Sequence, residues 1–352
     1  MKTISISLSG LLIVLLALLS GCTKNFNAEA AANDFFHVDI NGYYIPVMVR
    51  GNTASGKILL FIQGGPGSNT LDFAEVDYPE WENTLERDFA VAYYDQRGMG
   101  NRQGKTGSND LTYDQYLTDL HRVAMVLREK YQAKIYFLGH SFGGYLTYRY
   151  MLAYGEEGIG EKYISVAGPA STDEDTIRWQ FRRDFLINLA AEKLQEIPSR
   201  QEWQEVLDWC TAHPVLDELE EFRQWNRFVM DLIVPGFPEK IPGIKDYLTV
   251  ALFSSYNFPT SNLNTGVSDE VAHLLLLEEG NFQLISKLGQ IKAPLLIIGG
   301  RYDDICPPEE IAYIMEHLGS IDKQSLILGD AAHTPFLDQG EIFREAIRAY
   351  LE

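Results

Sequence analysis

The stretch Lys134–Gly144, KIYFLGHSFGG, decides how the rest of the chain is read. A short apolar run, Ile135–Leu138, leads into Gly139-His140-Ser141-Phe142-Gly143-Gly144, and a helix-compatible segment, Tyr145–Tyr154, follows. Strand, sharp turn and helix in this order predict a nucleophile elbow with Ser141 at its tip in a strained backbone. Small residues two before and two after the serine let neighbouring chain pass close enough for the turn to close. The hydroxyl is then expected above a sheet edge, at a helix N-terminus whose free N–H groups face any developing anion. Gly-x-Ser-x-Gly alone also fits a glycine-rich turn with an idle serine, so the reading depends on partners elsewhere in the chain.

An activated serine needs a base, and the base needs an acid to orient it. Both belong just past strand ends, on the same edge as the elbow. The apolar run Pro294–Gly299 ends in Gly300-Arg301-Tyr302-Asp303-Asp304, and Gln324–Leu328 ends in Gly329-Asp330-Ala331-Ala332-His333. Ser141, Asp303 and His333 therefore follow predicted strands in the Ser, Asp, His order of α/β-hydrolases. His140 is a rival base, but it adjoins Ser141 and is expected to point beneath the elbow as packing. Asp304 and Asp330 are rivals for the acid, with Asp330 expected to cap the turn before His333.

The remaining pattern predicts an α/β fold, a mostly parallel sheet flanked by helices. Phe35–Val49 alternates apolar and polar residues around Asn41-Gly42, a hairpin signal. Lys57–Gln63 and Phe89–Tyr94 read as buried strands, Tyr113–Tyr131 as an amphipathic helix, and Tyr163–Ala167 as a strand. Strands alternating with helices imply parallel pairing. From residue 171 to 288 the alternation stops, and Arg178–Leu194, Trp203–Thr211, Leu216–Leu232 and Glu270–Leu288 read as helices of an inserted lid. Trp179, Trp203, Trp209 and Trp225 fall there and are assigned mainly to the lid's own core. The pattern resumes with a strand, a helix over Pro307–Leu318, a last strand and a closing helix, Glu341–Leu351. The core thus comprises residues 35–170 and 289–352.

Four ordered motifs resemble those of proline iminopeptidases and their relatives in the α/β-hydrolase superfamily. Gln63-Gly64-Gly65-Pro66-Gly67 is similar to their HGGPG loop, and Asp95-Gln96-Arg97-Gly98-Met99-Gly100 to their DQRGxG. Gly139–Gly144 is similar to their GxSxGG, and Gly300–Asp303 to the GRYD that carries the acid. The resemblance implies Ser141 as nucleophile, His333 as base, Asp303 as its orienter, and the amides of Gly65 and Phe142 as an oxyanion hole. The sequence has no metal-type Cys/His cluster and no phosphate-binding GxxxxGK(S/T), and no cofactor or metal is expected. Gln63 stands where the family has His and is expected to hydrogen-bond in holding the loop. The family captures the substrate's α-amine with lid glutamates, one of them just before an aromatic stretch. The nearest match, Ser254-Ser255-Tyr256-Asn257-Phe258, has Ser254 at that position, while Asp246, Glu270, Glu278 and Glu279 are other lid acids. Likeness of fold does not transfer specificity.

With 352 residues, 46% of them hydrophobic, the chain can bury one large core with an inserted subdomain. A net charge of −20 disfavours nucleic acid as a partner. Lys2, the nine-residue apolar run Leu11–Leu19 and the closing Leu19-Ser20-Gly21-Cys22 read as a signal peptide, too short to span a bilayer. Leu-Ser-Gly-Cys resembles the lipobox of bacterial lipoproteins. That likeness implies removal of residues 1–21, acylation of Cys22, a tether over residues 22–34 and a cell-envelope location. Thr23 resembles outer-membrane sorting. Cys210 and Cys306 specify no disulfide framework. The expected activity is that of a serine hydrolase releasing an N-terminal residue from short peptides. An esterase or amidase on small acyl compounds and a non-catalytic ligand-binding lipoprotein are the alternatives.

Overall fold

A computed structural model describes residues 32–66, 70–76, 80–99, 110–171, 176–215, 219–237 and 283–352. The hairpin forms around Asn41-Gly42: β1 (Ala32–Ile40) and β2 (Tyr43–Gly51) pair antiparallel, with Ile40 opposite Tyr43 and Ala32 opposite Gly51. Asn41 and Gly42 both take positive φ, 55° and 83°, the geometry that matches the twist of a two-residue hairpin. Strand β1 also takes in residues 32–34, which the sequence reading gave to the tether. Their pairing with Gly51, Arg50 and Val49 extends the ladder beyond the alternating apolar positions.

Strands β3 (Lys57–Ile62), β4 (Ala90–Tyr94), β5 (Lys134–His140), β6 (Gly160–Val166), β7 (Leu295–Gly300) and β8 (Lys323–Leu328) complete one eight-stranded sheet. Its order is β1-β2-β4-β3-β5-β6-β7-β8, parallel from β4 through β8 and antiparallel only where β2 meets β1 and β4. The near-continuous apolar runs are explained by burial on both faces. Ile58, Leu60 and Ile62 of β3 join one core with the helices Tyr113–Tyr131, Phe142–Tyr154 and Pro308–His317. Leu59 and Phe61 point the other way, into a core with Leu71, Trp81 and the closing helix Gly340–Leu351.

After β6 the chain leaves the sheet. Helices Thr176–Glu196, Gln201–Ala212 and Leu219–Leu232 bury Trp179, Phe185, Trp203, Val206, Trp225 and Val229 in a third core of their own. Of the helix expected over Glu270–Leu288, only residues 283–288 are described, and they enter a 3₁₀ helix, Leu284–Gln290, instead. Gln283 before it takes a left-handed conformation, φ 45°, which is not α-helical. Cys22, Gly67, Gly100, Asp246, Ser254–Phe258, Glu270, Glu278 and Glu279 lie outside the described residues. No helix among the described residues is long and apolar enough to cross a membrane.

Candidate active site

Ser141 stands between the end of β5 and the helix Phe142–Tyr154, with φ 53° and ψ −118°. A non-glycine residue rarely holds this conformation, which costs on the order of 1–3 kcal/mol, so the surroundings must impose it. They do so by contact. The Ser141 amide donates to Val166 O on β6 at 2.9 Å, and a Cβ on Gly139 or Gly143 would overlap the Gly143 carbonyl or the Ile62 carbonyl respectively. Glycine is needed at both positions because the backbones touch there. The Tyr145 amide is the first to bond back along the helix, to Ser141 O at 3.1 Å, so the Phe142 amide belongs to the unpaired first turn.

The loops after β7 and β8 bring the two expected partners to Ser141. Asp303 is wholly buried, and its Oδ1 accepts the amides of Ile305 (2.9 Å) and Cys306 (3.0 Å), which fixes the carboxylate. His333 Nδ1 lies 3.1 Å from both Asp303 oxygens, and its Nε2 lies 2.9 Å from Ser141 Oγ. A carboxylate only accepts, so Nδ1 carries the proton and Nε2 is left bare toward the serine hydroxyl. Burial disfavours the imidazolium, but the charge and hydrogen bond of Asp303, with the charge of Asp304, outweigh it and raise the His333 pKa above its ordinary value. Asp304 is half-buried, and burial followed by the neighbouring Asp303 charge raises its own pKa. Asp303, not Asp304 or Asp330, therefore stands behind the imidazole.

Gly65, the other expected amide, sits in the loop after β3 with φ 126°, a conformation open to glycine. The loop runs against the elbow: a Cβ on Gly64 would lie 3.1 Å from Ser141 Cβ. The bond that holds it is not made by the Gln63 side-chain oxygen, which is buried without a hydrogen bond among the described residues. Gln96 Nε2 donates instead to the Gln63 carbonyl at 3.1 Å. Asp330 does not cap the turn before His333 either; Asp338 Oδ2 accepts the Ala332 amide at 2.9 Å, because one helical turn, Pro335–Asp338, folds the later acid back. His140 does more than pack: its Nε2 lies 2.9 Å from the His333 carbonyl. Sequence reasoning missed Gln96, Asp338 and this bond. For Gln96 alone a signal was present, the DQRGMG motif itself.

Residues 57–339 match the sequence profile of a family described as the alpha/beta hydrolase fold. The chain belongs to that family. As an α/β hydrolase it is similar, at 24% identity over 313 residues, to YbaC of Bacillus subtilis, described as a probable aminopeptidase; the match spans 86% of this chain and 91% of that one. A proline iminopeptidase of Lactobacillus crispatus is 26% identical over 319 residues, 88% of this chain and 95% of its own. Among solved structures, an esterase from Exiguobacterium antarcticum superposes with a TM-score of 0.56 at 18% identity, over 91% of this α/β hydrolase and 99% of the esterase. A hydrolase from Pseudomonas aeruginosa gives 0.55 at 16%, over 91% and 99%. These structures share the fold.

Proposed function

We propose that this α/β hydrolase is a serine hydrolase that acylates Ser141 and releases an N-terminal residue, proline included, from short peptides. The observation that carries the reading is the line from Asp303 through the His333 imidazole to Ser141 Oγ, with hydrogen-bond distances of 3.1 and 2.9 Å. In that scheme His333 Nε2 takes the Ser141 proton as Oγ attacks the substrate carbonyl, and Asp303 stabilises the imidazolium. The oxyanion is received by the amides of Phe142 and Gly65. His333 then hands its proton to the leaving amine, and water, activated by the same imidazole, releases the acyl group. The similarity to proline iminopeptidases supports peptides with a free amine as substrates.

The lipobox-like Leu19–Cys22 supports a lipid-anchored envelope protein. The geometry of the hairpin is compatible with it. Ala32, where the described chain begins, pairs with Gly51 beside Ala90, at the edge opposite the strand ends that bear the site. Ser254, standing where the family has a carboxylate, favours a second reading, an esterase or amidase on small acyl compounds.

Purified protein should release naphthylamine from prolyl-naphthylamide, and Ser141→Ala should not; no release by wild type, or equal release by the variant, removes the proposal. A substrate and its N-acetylated twin separate the two readings, since preference for the blocked twin rules out the aminopeptidase. Globomycin-sensitive processing and partition of the protein into the membrane fraction test the anchor.

A further inference from the structure

His140 immediately precedes the proposed nucleophile, and its side chain crosses to the segment that carries the proposed base. Its Nε2 lies 2.9 Å from the backbone carbonyl of His333, and the two rings are 5.2 Å apart between centroids. A carbonyl oxygen cannot donate, so Nε2 must hold the proton and Nδ1 must be bare. The two neighbouring imidazoles therefore take opposite tautomers: His140 is protonated on Nε2, His333 on Nδ1. Phe336 packs edge-on against the His140 ring at 4.9 Å. On another side Gly64 is so close that a Cβ there would lie 3.2 Å from Nδ1. The ring is buried and gripped, and it keeps one orientation.

The bond completes a set of straps on the loop that holds His333. Arg301 N–H donates to Leu328 O and Tyr302 N–H to Ala331 O, each at 2.9 Å, which ties this loop to the one bearing Asp303. Asp338 holds the Ala332 amide. These bonds act before His333 or toward the acid. The His140 bond acts at His333 itself and ties it to the residue next to Ser141. We propose that His140 is a positioning residue that sets the separation of His333 Nε2 from Ser141 Oγ while staying uncharged. Burial, followed by repulsion from His333, lowers its pKa to about 3, so it adds no positive charge beside the base at working pH.

This inference rests on the serine hydrolase reading, and the experiment separates the two. His140→Met and His140→Gln have nearly the same shape, and only glutamine can donate to the His333 carbonyl. Wild type and both variants are compared for labelling of Ser141 by a fluorophosphonate, for kcat and KM on a substrate that wild type turns over, for pH profile and for thermal midpoint. With folding intact, His140→Met should lose about 10- to 100-fold in labelling rate and kcat, as expected for a reacting pair displaced by up to 1 Å, with KM nearly unchanged. The acid limb of its pH profile should move, and His140→Gln should recover most of the rate. Should His140→Met fail to fold, ¹⁵N shifts of the wild-type rings decide: His140 protonated on Nδ1 would overturn the assignment. Equal rates and pH profiles for wild type and His140→Met, or equal impairment of both folded variants, would overturn it too. An unlabelled wild type would instead remove the hydrolase reading, and with it the base that His140 positions.

Discussion

Asp95 and Asp303 are held in the same way and sit among different neighbours. Each follows a strand of the parallel sheet, each is almost fully buried, and each uses its Oδ1 to accept two backbone amides: Thr70 and Leu71 for Asp95, Ile305 and Cys306 for Asp303. Beyond Asp95 the motif turns inward. Arg97 forms a buried pair with Asp119, two bonds of 2.7 Å, and lies over the Tyr43 ring at 4.2 Å, while the Tyr116 hydroxyl donates to the Arg97 carbonyl. Beyond Asp303 stands an imidazole with a serine behind it. A buried aspartate after a strand is thus common to architecture and to chemistry, and the group facing it decides between them.

Five substitutions sharpen that contrast, first on turnover and then on stability, each from the largest expected effect to the smallest, with a tenfold rate change equal to about 1.4 kcal/mol. On the proposed reading, Ser141→Ala should reduce kcat by about 10⁶-fold while leaving the thermal midpoint in place, as when the nucleophile is removed from a known serine hydrolase. Asp303→Asn should cost about 10⁴-fold, because the amide keeps its two backbone donors but no longer enforces the working tautomer of His333. Asp95→Asn makes the same chemical change and should leave kcat within a few-fold; equal losses in both variants would erase the distinction. Arg97→Met should do the reverse, destabilising the protein by about 3–5 kcal/mol in urea because Asp119 is left buried without its cation. Thr112→Ala removes the hydroxyl that accepts the Gln115 amide at the start of the same helix, and should cost only about 1 kcal/mol.

The pH profile adds a finer test. As the proposed base, His333 must be neutral, and its pKa is raised, so activity should fall on acidification at a pH above the ordinary imidazole value of about 6.5. Asp304 contributes to that rise, so Asp304→Asn should move the acid limb of kcat/KM to lower pH and leave the plateau unchanged. A limb that stays in place would show that Asp303 alone tunes the base.

What the sequence made legible followed from local pattern. Asn41-Gly42 could only turn in one way, Lys57–Ile62 could only be buried on both faces, and Gly139 and Gly143 announced a close approach on either side of Ser141. The parts that were not legible depend on residues far away in the chain. The helix Thr70–Val76 gives its first two amides to Asp95, 25 positions downstream of Thr70, an anchor that no local pattern announces. The single turn Pro335–Asp338 is too short to show a period, yet it supplies the acid that holds the loop before His333. His140 looked like packing because its partner is a main-chain oxygen 193 residues away, and main-chain groups carry no sequence.

The acid loop and the inserted helices share more than proximity. Tyr302, one residue before Asp303, packs against the insertion's apolar core and against Phe237, and Arg301 is paired with Glu192 of the first inserted helix. An engineer who exchanges those helices for another hydrolase's, in order to change what the protein accepts, would also be removing the seat of Tyr302. A graft that keeps turnover must therefore bring along a replacement for that seat, or carry the Gly300–Asp303 loop with it as part of the cassette.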